Sequence, residues 1–154
     1  MEKTRKNKVL IIHGPNLHLL GKREPNVYGN VSLADINGQI KTLARKLGFV
    51  VTIVQSNSES EIIDNITGAK YDFLIINPAA YTHTSVAIRD ALLAVKRPTI
   101  EVHLSNIYGR EAFRQKSLVS DVVQGVISGF GKASYLLALH ALSCAQSGKK
   151  SKNS

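Results

Sequence analysis

The sequence predicts a single α/β domain: a flavodoxin-like, doubly wound sheet of five parallel strands with helices on both faces. Two observations predict it. Short apolar runs alternate with longer stretches of helical periodicity, the pattern of consecutive βαβ units. The short runs are also almost continuously apolar, as strands covered on both faces are. The length of 154 residues fits one domain. It is enough to bury about 70% of the surface that the unfolded chain exposes.

The first strand is VLIIH, residues 9–13. Residues 32–47 read as a helix, with Ser32 as its cap and Asp35 completing a capping box. Leu33, Ile36, Ile40, Leu43 and Leu47 form its apolar stripe, and Gly48 ends it. FVVTIV, 49–54, is β-branched and strand-like. A helix follows over 59–69, a third strand over 72–77, a helix over 84–95 and a fourth strand, TIEVH, over 99–103. A fifth strand is expected over 122–127 and a last helix over 133–145.

The net charge is +9. Lys3, Arg5, Lys6 and Lys8 against Glu2 give the first eight residues +3, and Lys149, Lys150 and Lys152 give the far end another +3. The expected division is therefore a basic tail over 1–8, an α/β domain over 9–146 and a basic tail over 147–154. Such ends attract polyanions weakly at most, and no nucleic-acid partner is expected. The single Cys144 excludes an intramolecular disulfide framework and a multi-cysteine metal site, and it reads as a packed thiol. No run has the ~20 apolar residues of a membrane span, and no secretory pattern opens the chain. The expected location is the cytoplasm.

In a doubly wound sheet, ligands bind outside the carboxyl ends of the strands. The polar residues gather there. The segment after the first strand, 13–30, is too long for a tight turn and carries Asn16, Arg23 and Tyr28. Gln55-Ser56-Asn57 follow the second strand. Asn77 and His83 follow the third. Glu101, His103, Ser105, Asn106, Arg110 and Arg114 lie along and after the fourth. No G-x-G-x-x-G follows the first strand, and no phosphate-loop pattern, G-x-S-x-G elbow or H-E-x-x-H occurs. What remains is Tyr, His, Arg, Asn and one Glu. That set can perform acid–base chemistry on an anionic, polyhydroxylated molecule without metal or cofactor: guanidinium groups hold a carboxylate and histidine moves a proton.

Four stretches, HGPNLHLLGKREPNVYG, QSNSE, INPAAYTHTSVAIRDAL and EVHLSNIYGREAFR, together resemble the type II 3-dehydroquinate dehydratases (type II dehydroquinases), in order and spacing, from about residue 9 to about residue 142. The resemblance implies dehydration of 3-dehydroquinate to 3-dehydroshikimate by anti elimination through an enolate, with no cofactor and no metal. Tyr28 matches the base. Arg23 matches the loop residue that lowers the phenol pKa and closes the site. His103 matches the general acid and Glu101 its supporting carboxylate. Asn16 matches the residue that helps stabilise the enolate. Asn77, His83 and Arg114 match the substrate-holding residues. Leu104 and Ser105 match a carboxylate-binding backbone pair, with the serine hydroxyl joining. Asp90 matches a residue reaching in from a neighbouring subunit, and Arg110 a second lid arginine. The implied partners are the substrate and eleven further copies, in a dodecamer of four trimers.

The sequence departs from the family at His13 and His18, where Asn is frequent, at Ser58, where His is common, and at Tyr108-Gly109. None falls on the acid–base pair. His13 and His18 could belong to the site wall or to neither wall nor site. His83 could cap the following helix, and His140 reads as structural or interfacial. The alternative functions are a flavodoxin-like module that binds a small ligand without turnover, a nucleic-acid binder, and a lysine Schiff-base dehydratase. For the last, only Lys22 lies near the strand ends.

Overall fold

The computed structural model describes residues 5–22, 26 and 30–150. Arg23 and Tyr28 lie outside the described residues. Five parallel strands, β1 (Lys8–His13), β2 (Val50–Gln55), β3 (Phe73–Asn77), β4 (Thr99–His103) and β5 (Gly125–Ser128), form one sheet in the order β2-β1-β3-β4-β5. Among the described residues four α-helices flank it: α1 (Leu33–Lys46), α2 (Glu59–Gly68), α3 (Val86–Val95) and α4 (Ala133–Lys150).

The period-two alternation of side chains along a strand divides the core. Val9, Ile11, Phe73, Ile75, Ile100 and Val102 pack with Ile36, Ile40 and Ala44 of α1 and Tyr135, Ala138, Leu139 and Leu142 of α4. Leu10, Ile12, Leu74 and Ile76 face the other way, onto Ile62 and Ile66 of α2 and Ile88, Ala91 and Leu92 of α3. Each central strand is thus apolar on both sides, which explains the unbroken runs VLII and FLII.

The capping box of α1 is formed. Ser32 Oγ accepts the Asp35 N–H at 3.1 Å, and the Asp35 carboxylate accepts the Ser32 N–H at 3.1 Å. These bonds hold the Asp35 carboxyl below its ordinary range. Gly48 ends the helix at φ +80°, a conformation cheap only for glycine.

Three element boundaries differ from expectation. The last helix runs to Lys150 rather than residue 145, because Gln146, Ser147 and Gly148 do not interrupt it. Cys144, expected to be packed, is exposed on it. The third helix starts at Val86, and its cap is Ser85, which accepts the Ile88 N–H at 2.9 Å. His83 therefore does not cap it and belongs to the preceding 3-10 turn, Ala79–His83. β5 begins at Gly125 rather than 122: Val122 closes a turn onto the Val119 carbonyl, and with Val123 it packs against the α2/α3 side.

Candidate active site

The strand order reverses between the adjacent interior strands β1 and β3: the chain continues from β1 to β2 on one side and from β3 to β4 on the other. A crevice opens there, outside their carboxyl ends. A cavity of about 110 Å³ in it is lined by residues that follow three strands, among them Asn16, Asn77, His83, His103, Ser105 and Arg114. The close approach of the chain after β1 to the chain after β3 requires Gly14: a Cβ there would lie 2.5 Å from the Pro78 carbonyl oxygen, and the Gly14 N–H donates to the Asn77 carbonyl at 2.8 Å.

Two non-glycine residues of the crevice have left-handed backbone, Asn16 at φ 67° and Ala79 at φ 52°. Such strain persists only where the surroundings over-determine it. At Asn16 the Asn57 carboxamide does so, accepting the Asn16 N–H at 3.0 Å. Asn57 is itself held by Gln55 Nε2 at 3.2 Å and, through its carbonyl, by the Tyr81 hydroxyl at 2.7 Å. At Ala79 the N–H donates to Asn77 Oδ1 at 3.0 Å.

Glu101 and His103, two residues apart on β4, point to the same side. His103 Nε2 lies 3.0 Å from Glu101 Oε1. Glu101 is completely buried and also accepts hydroxyls from Thr82 (2.6 Å), Ser117 (2.9 Å) and Ser120 (2.6 Å). Burial alone would raise its pKa. The hydrogen bond and charge of His103 and the Ser120 and Thr82 hydroxyls outweigh burial and hold the carboxyl below its ordinary range. The carboxylate occupies one imidazole nitrogen, so Nδ1 is the atom with which His103 can address the cavity.

Around this pair the groups suit an anion. Carbonyls of His103 and Leu104 accept the N–H groups of Gly129 (3.2 Å) and Gly131 (2.9 Å). In a trans peptide the N–H points opposite to its carbonyl, so the N–H groups of Leu104 and Ser105 face away from that turn, on the side of the crevice. The Ser105 carbonyl is tied to Ser128 Oγ at 2.9 Å. Arg110 Nη1 reaches Ser105 Oγ at 3.4 Å. Arg114 Nε is 3.0 Å from Glu111 Oε2, without hydrogen-bond alignment, and its guanidinium lies 5.1 Å from the Phe113 ring centre. His83 Nδ1 donates to the Lys116 carbonyl at 2.7 Å, which leaves Nε2 for the crevice.

The structure thus brings together Asn16, Asn77, His83, Glu101, His103, Leu104, Ser105, Arg110 and Arg114. It does not bring in Asp90, which is exposed on α3 and lines no part of the crevice. His13 is neither wall nor bystander: it is fully buried beneath the crevice. His18 is exposed beside it and His140 exposed on α4. Sequence reasoning missed Thr82, Ser117 and Ser120, the hydroxyls around Glu101, and Glu111 and Ser128, which position the arginines and the Ser105 backbone. Among the described residues no three His, Cys, Asp or Glu side chains form a metal-binding group, and no lysine lines the cavity. A roomier groove of about 780 Å³ between α1 and α4 presents Lys46, Lys132 and His140. It lies away from the strand ends and holds none of the residues that the crevice brings together.

Burial of His13 lowers its pKa from 6.5 to about 4, although the hydrogen bond with Asn37 works the other way. The unfolded chain therefore binds a proton that the folded chain does not between these values. Stability worth about 3 kcal/mol is present above pH 6.5 and lost as the pH falls through 4. His13→Asn should flatten this part of the stability–pH curve. An unchanged curve in denaturant titrations across pH 4–7 would contradict the assignment.

The class II dehydroquinase family model matches residues 7–143. The chain is 60% identical over 136 residues to a 3-dehydroquinate dehydratase of Cellvibrio japonicus, covering 86% of this chain and 92% of that protein. It is 54% identical over 138 residues to that of Legionella pneumophila (strain Corby), covering 88% and 95%. The crystal structure of a type II dehydroquinase from Propionibacterium acnes is similar at a TM-score of 0.86 and 42% identity, over 90% of this chain and 97% of that one.

Proposed function

The chain belongs to the class II dehydroquinase family, and from that premise we propose how its residues divide the reaction. It is a type II 3-dehydroquinate dehydratase, which removes water from 3-dehydroquinate to give 3-dehydroshikimate. The single observation that carries the mechanism is the buried Glu101–His103 pair at the floor of an anion-suited crevice.

The proton to be removed lies next to a ketone, so its loss produces an enolate. Tyr28, carried by the 23–29 segment, takes this proton, with the charge of Arg23 favouring the phenolate. The arrangement around Asn16 supports a role in stabilising the enolate where its charge develops. His103, oriented by Glu101, then gives a proton to the departing hydroxyl, and the elimination is anti. Arg114 with the Leu104 and Ser105 N–H groups holds the carboxylate, and Asn77 and His83 hold the hydroxyls. Arg110 belongs to the lid. No step calls on a metal or cofactor.

Asp90 fits a contact with the substrate in a neighbouring subunit, and the dodecamer of four trimers would supply it. The exposed Tyr108, Val126, Phe130 and Leu137 around edge strand β5 support burial against other copies. A solution mass of one chain would sink that part. We read residues 9–146 as the catalytic unit, 1–8 and 147–154 as basic flanks, and the cytoplasm as the location. Among the described residues no helix is long and apolar enough to cross a membrane.

The experiment is direct. Purified protein is given 3-dehydroquinate in excess chelator, and the ultraviolet absorbance of the conjugated enone is followed. The rate should equal that without chelator. Loss of turnover that added divalent metal restores would overturn the metal-free mechanism, and no turnover at all would favour a binding module.

A further inference from the structure

Three hydroxyls surround Glu101, and none of them lines the crevice. Thr82 comes from the 3-10 turn Ala79–His83. Ser117 and Ser120 come from the irregular chain before β5. The Leu118 N–H donates to the Thr82 carbonyl at 2.8 Å and ties the two segments together. Arg89 of α3 anchors the second one, donating to the Leu118 carbonyl at 2.8 Å and pairing with Asp121.

The hydrogens of this cluster can be placed. Glu101 is held below the ordinary carboxyl range, so it is ionised at neutral pH and only accepts. Ser117 Oγ accepts the N–H groups of Val119 (3.1 Å) and Ser120 (3.0 Å), and its own hydrogen goes to Glu101 Oε1 at 2.9 Å. Thr82 donates to the same oxygen at 2.6 Å, where His103 Nε2 also lies, at 3.0 Å. Ser120 donates to the other oxygen, Oε2, at 2.6 Å. Both oxygens are thus held, and the carboxylate cannot turn away from the imidazole without breaking a bond to a buried charge. Facing an acceptor, Nε2 carries a hydrogen, and Nδ1 is the nitrogen left for the crevice.

We infer that Thr82, Ser117 and Ser120 are positioning residues for the proton donor: they fix the Glu101 carboxylate against His103 Nε2, so that the proton given to the departing hydroxyl comes from Nδ1. In that step the enolate electrons form the new C=C bond, and the C–O bond breaks with its electron pair going to oxygen. Nδ1 passes its proton to that oxygen and water leaves. The ring becomes neutral and keeps its Nε2 hydrogen. Glu101 stays ionised throughout, because the hydroxyls bonded to it favour the charged form. This rests on the reading of His103 as the general acid.

The test follows 3-dehydroquinate in deuterium oxide with Ser120→Ala, Thr82→Val, Thr82→Ser and His103→Asn. Two rates are measured for each: entry of label beside the ketone of the remaining substrate, and formation of product. Loss of folded enzyme lowers both alike and leaves their ratio unchanged. Slower proton donation lowers product formation alone. Ser120→Ala and Thr82→Val should each raise the ratio of exchange to product about tenfold, the worth of one well-placed hydrogen bond. Thr82→Ser keeps the hydroxyl and should stay near the parent ratio, and His103→Asn should raise the ratio further. Ser120 is only half-buried, so Ser120→Ala decides the matter where Thr82→Val fails to fold. If His103→Asn raises the ratio while the hydroxyl variants that fold keep the parent value, the inference is wrong and the reading of His103 stands. If His103→Asn leaves the ratio unchanged, the reading of His103 fails and the inference with it.

Discussion

Tyr28→Phe is expected to lower kcat by ~10²–10⁴-fold, the usual worth of a positioned acid–base group, with KM changed far less. The described residues lining the crevice explain why so much rests on one hydroxyl. His103 is committed to Glu101 and His83 to the Lys116 carbonyl. Asn16, Asn77, Arg110 and Arg114 offer no base at neutral pH. The proposed proton acceptor is Tyr28, in the R-E-P-N-V-Y-G motif of the 23–29 segment. Phenylalanine keeps the ring and removes only the hydroxyl proposed to take the proton. Arg23→Ala should move the limb of the rate profile that reports phenolate formation to higher pH. Parent-like turnover in Tyr28→Phe would remove the tyrosine from the mechanism.

His103→Asn is expected to cost as much, because the hydroxyl would then leave without a proton donor. Glu101→Gln should cost less in rate and more in stability. The carboxylate satisfies four donors, from His103, Thr82, Ser117 and Ser120. A carboxamide has one oxygen for them, and at least the Ser120 hydroxyl must turn to accept. Removing one side of a buried ion pair costs about 3–5 kcal/mol, so denaturation midpoints should fall while a slower reaction survives. Glu101→Gln with unchanged rate and stability would show that the carboxylate neither orients the imidazole nor supports the fold around it.

Much of this was legible in the sequence for physical reasons. A parallel sheet covered on both faces forces unbroken apolar strands, so VLII and FLII marked β1 and β3. The capping box at Ser32 and Asp35 and the stop at Gly48 set the limits of α1. The rule that ligands sit at carboxyl ends made Asn16, Asn77, His83, Glu101 and His103 neighbours although they are far apart in the chain. The hydroxyls around Glu101 were not legible. Thr82 lies in a 3-10 turn, and Ser117 and Ser120 lie in irregular chain before β5. No spacing links them, and a serine pair in a loop reads as ordinary turn chemistry. Tyr135 was hidden differently. It sits in an apolar helix stripe, where an aromatic residue reads as core, and only tertiary packing brings its hydroxyl to His13. The β-branched Val122-Val123 pair reads as strand from propensity, yet packing against α2 and α3 takes it out of the sheet.

The division of labour between Tyr28 and His103 is tested most directly by proton exchange. His103→Asn and Tyr28→Phe are each incubated with 3-dehydroquinate in deuterium oxide, and the remaining substrate is examined by NMR for label at the carbon beside the ketone. The account predicts that His103→Asn exchanges this hydrogen while forming little product, since the base and the enolate site are intact. It predicts that Tyr28→Phe exchanges no faster than free substrate. Enzyme-dependent exchange in Tyr28→Phe, or none in His103→Asn, would contradict an enolate formed by Tyr28 and resolved by His103.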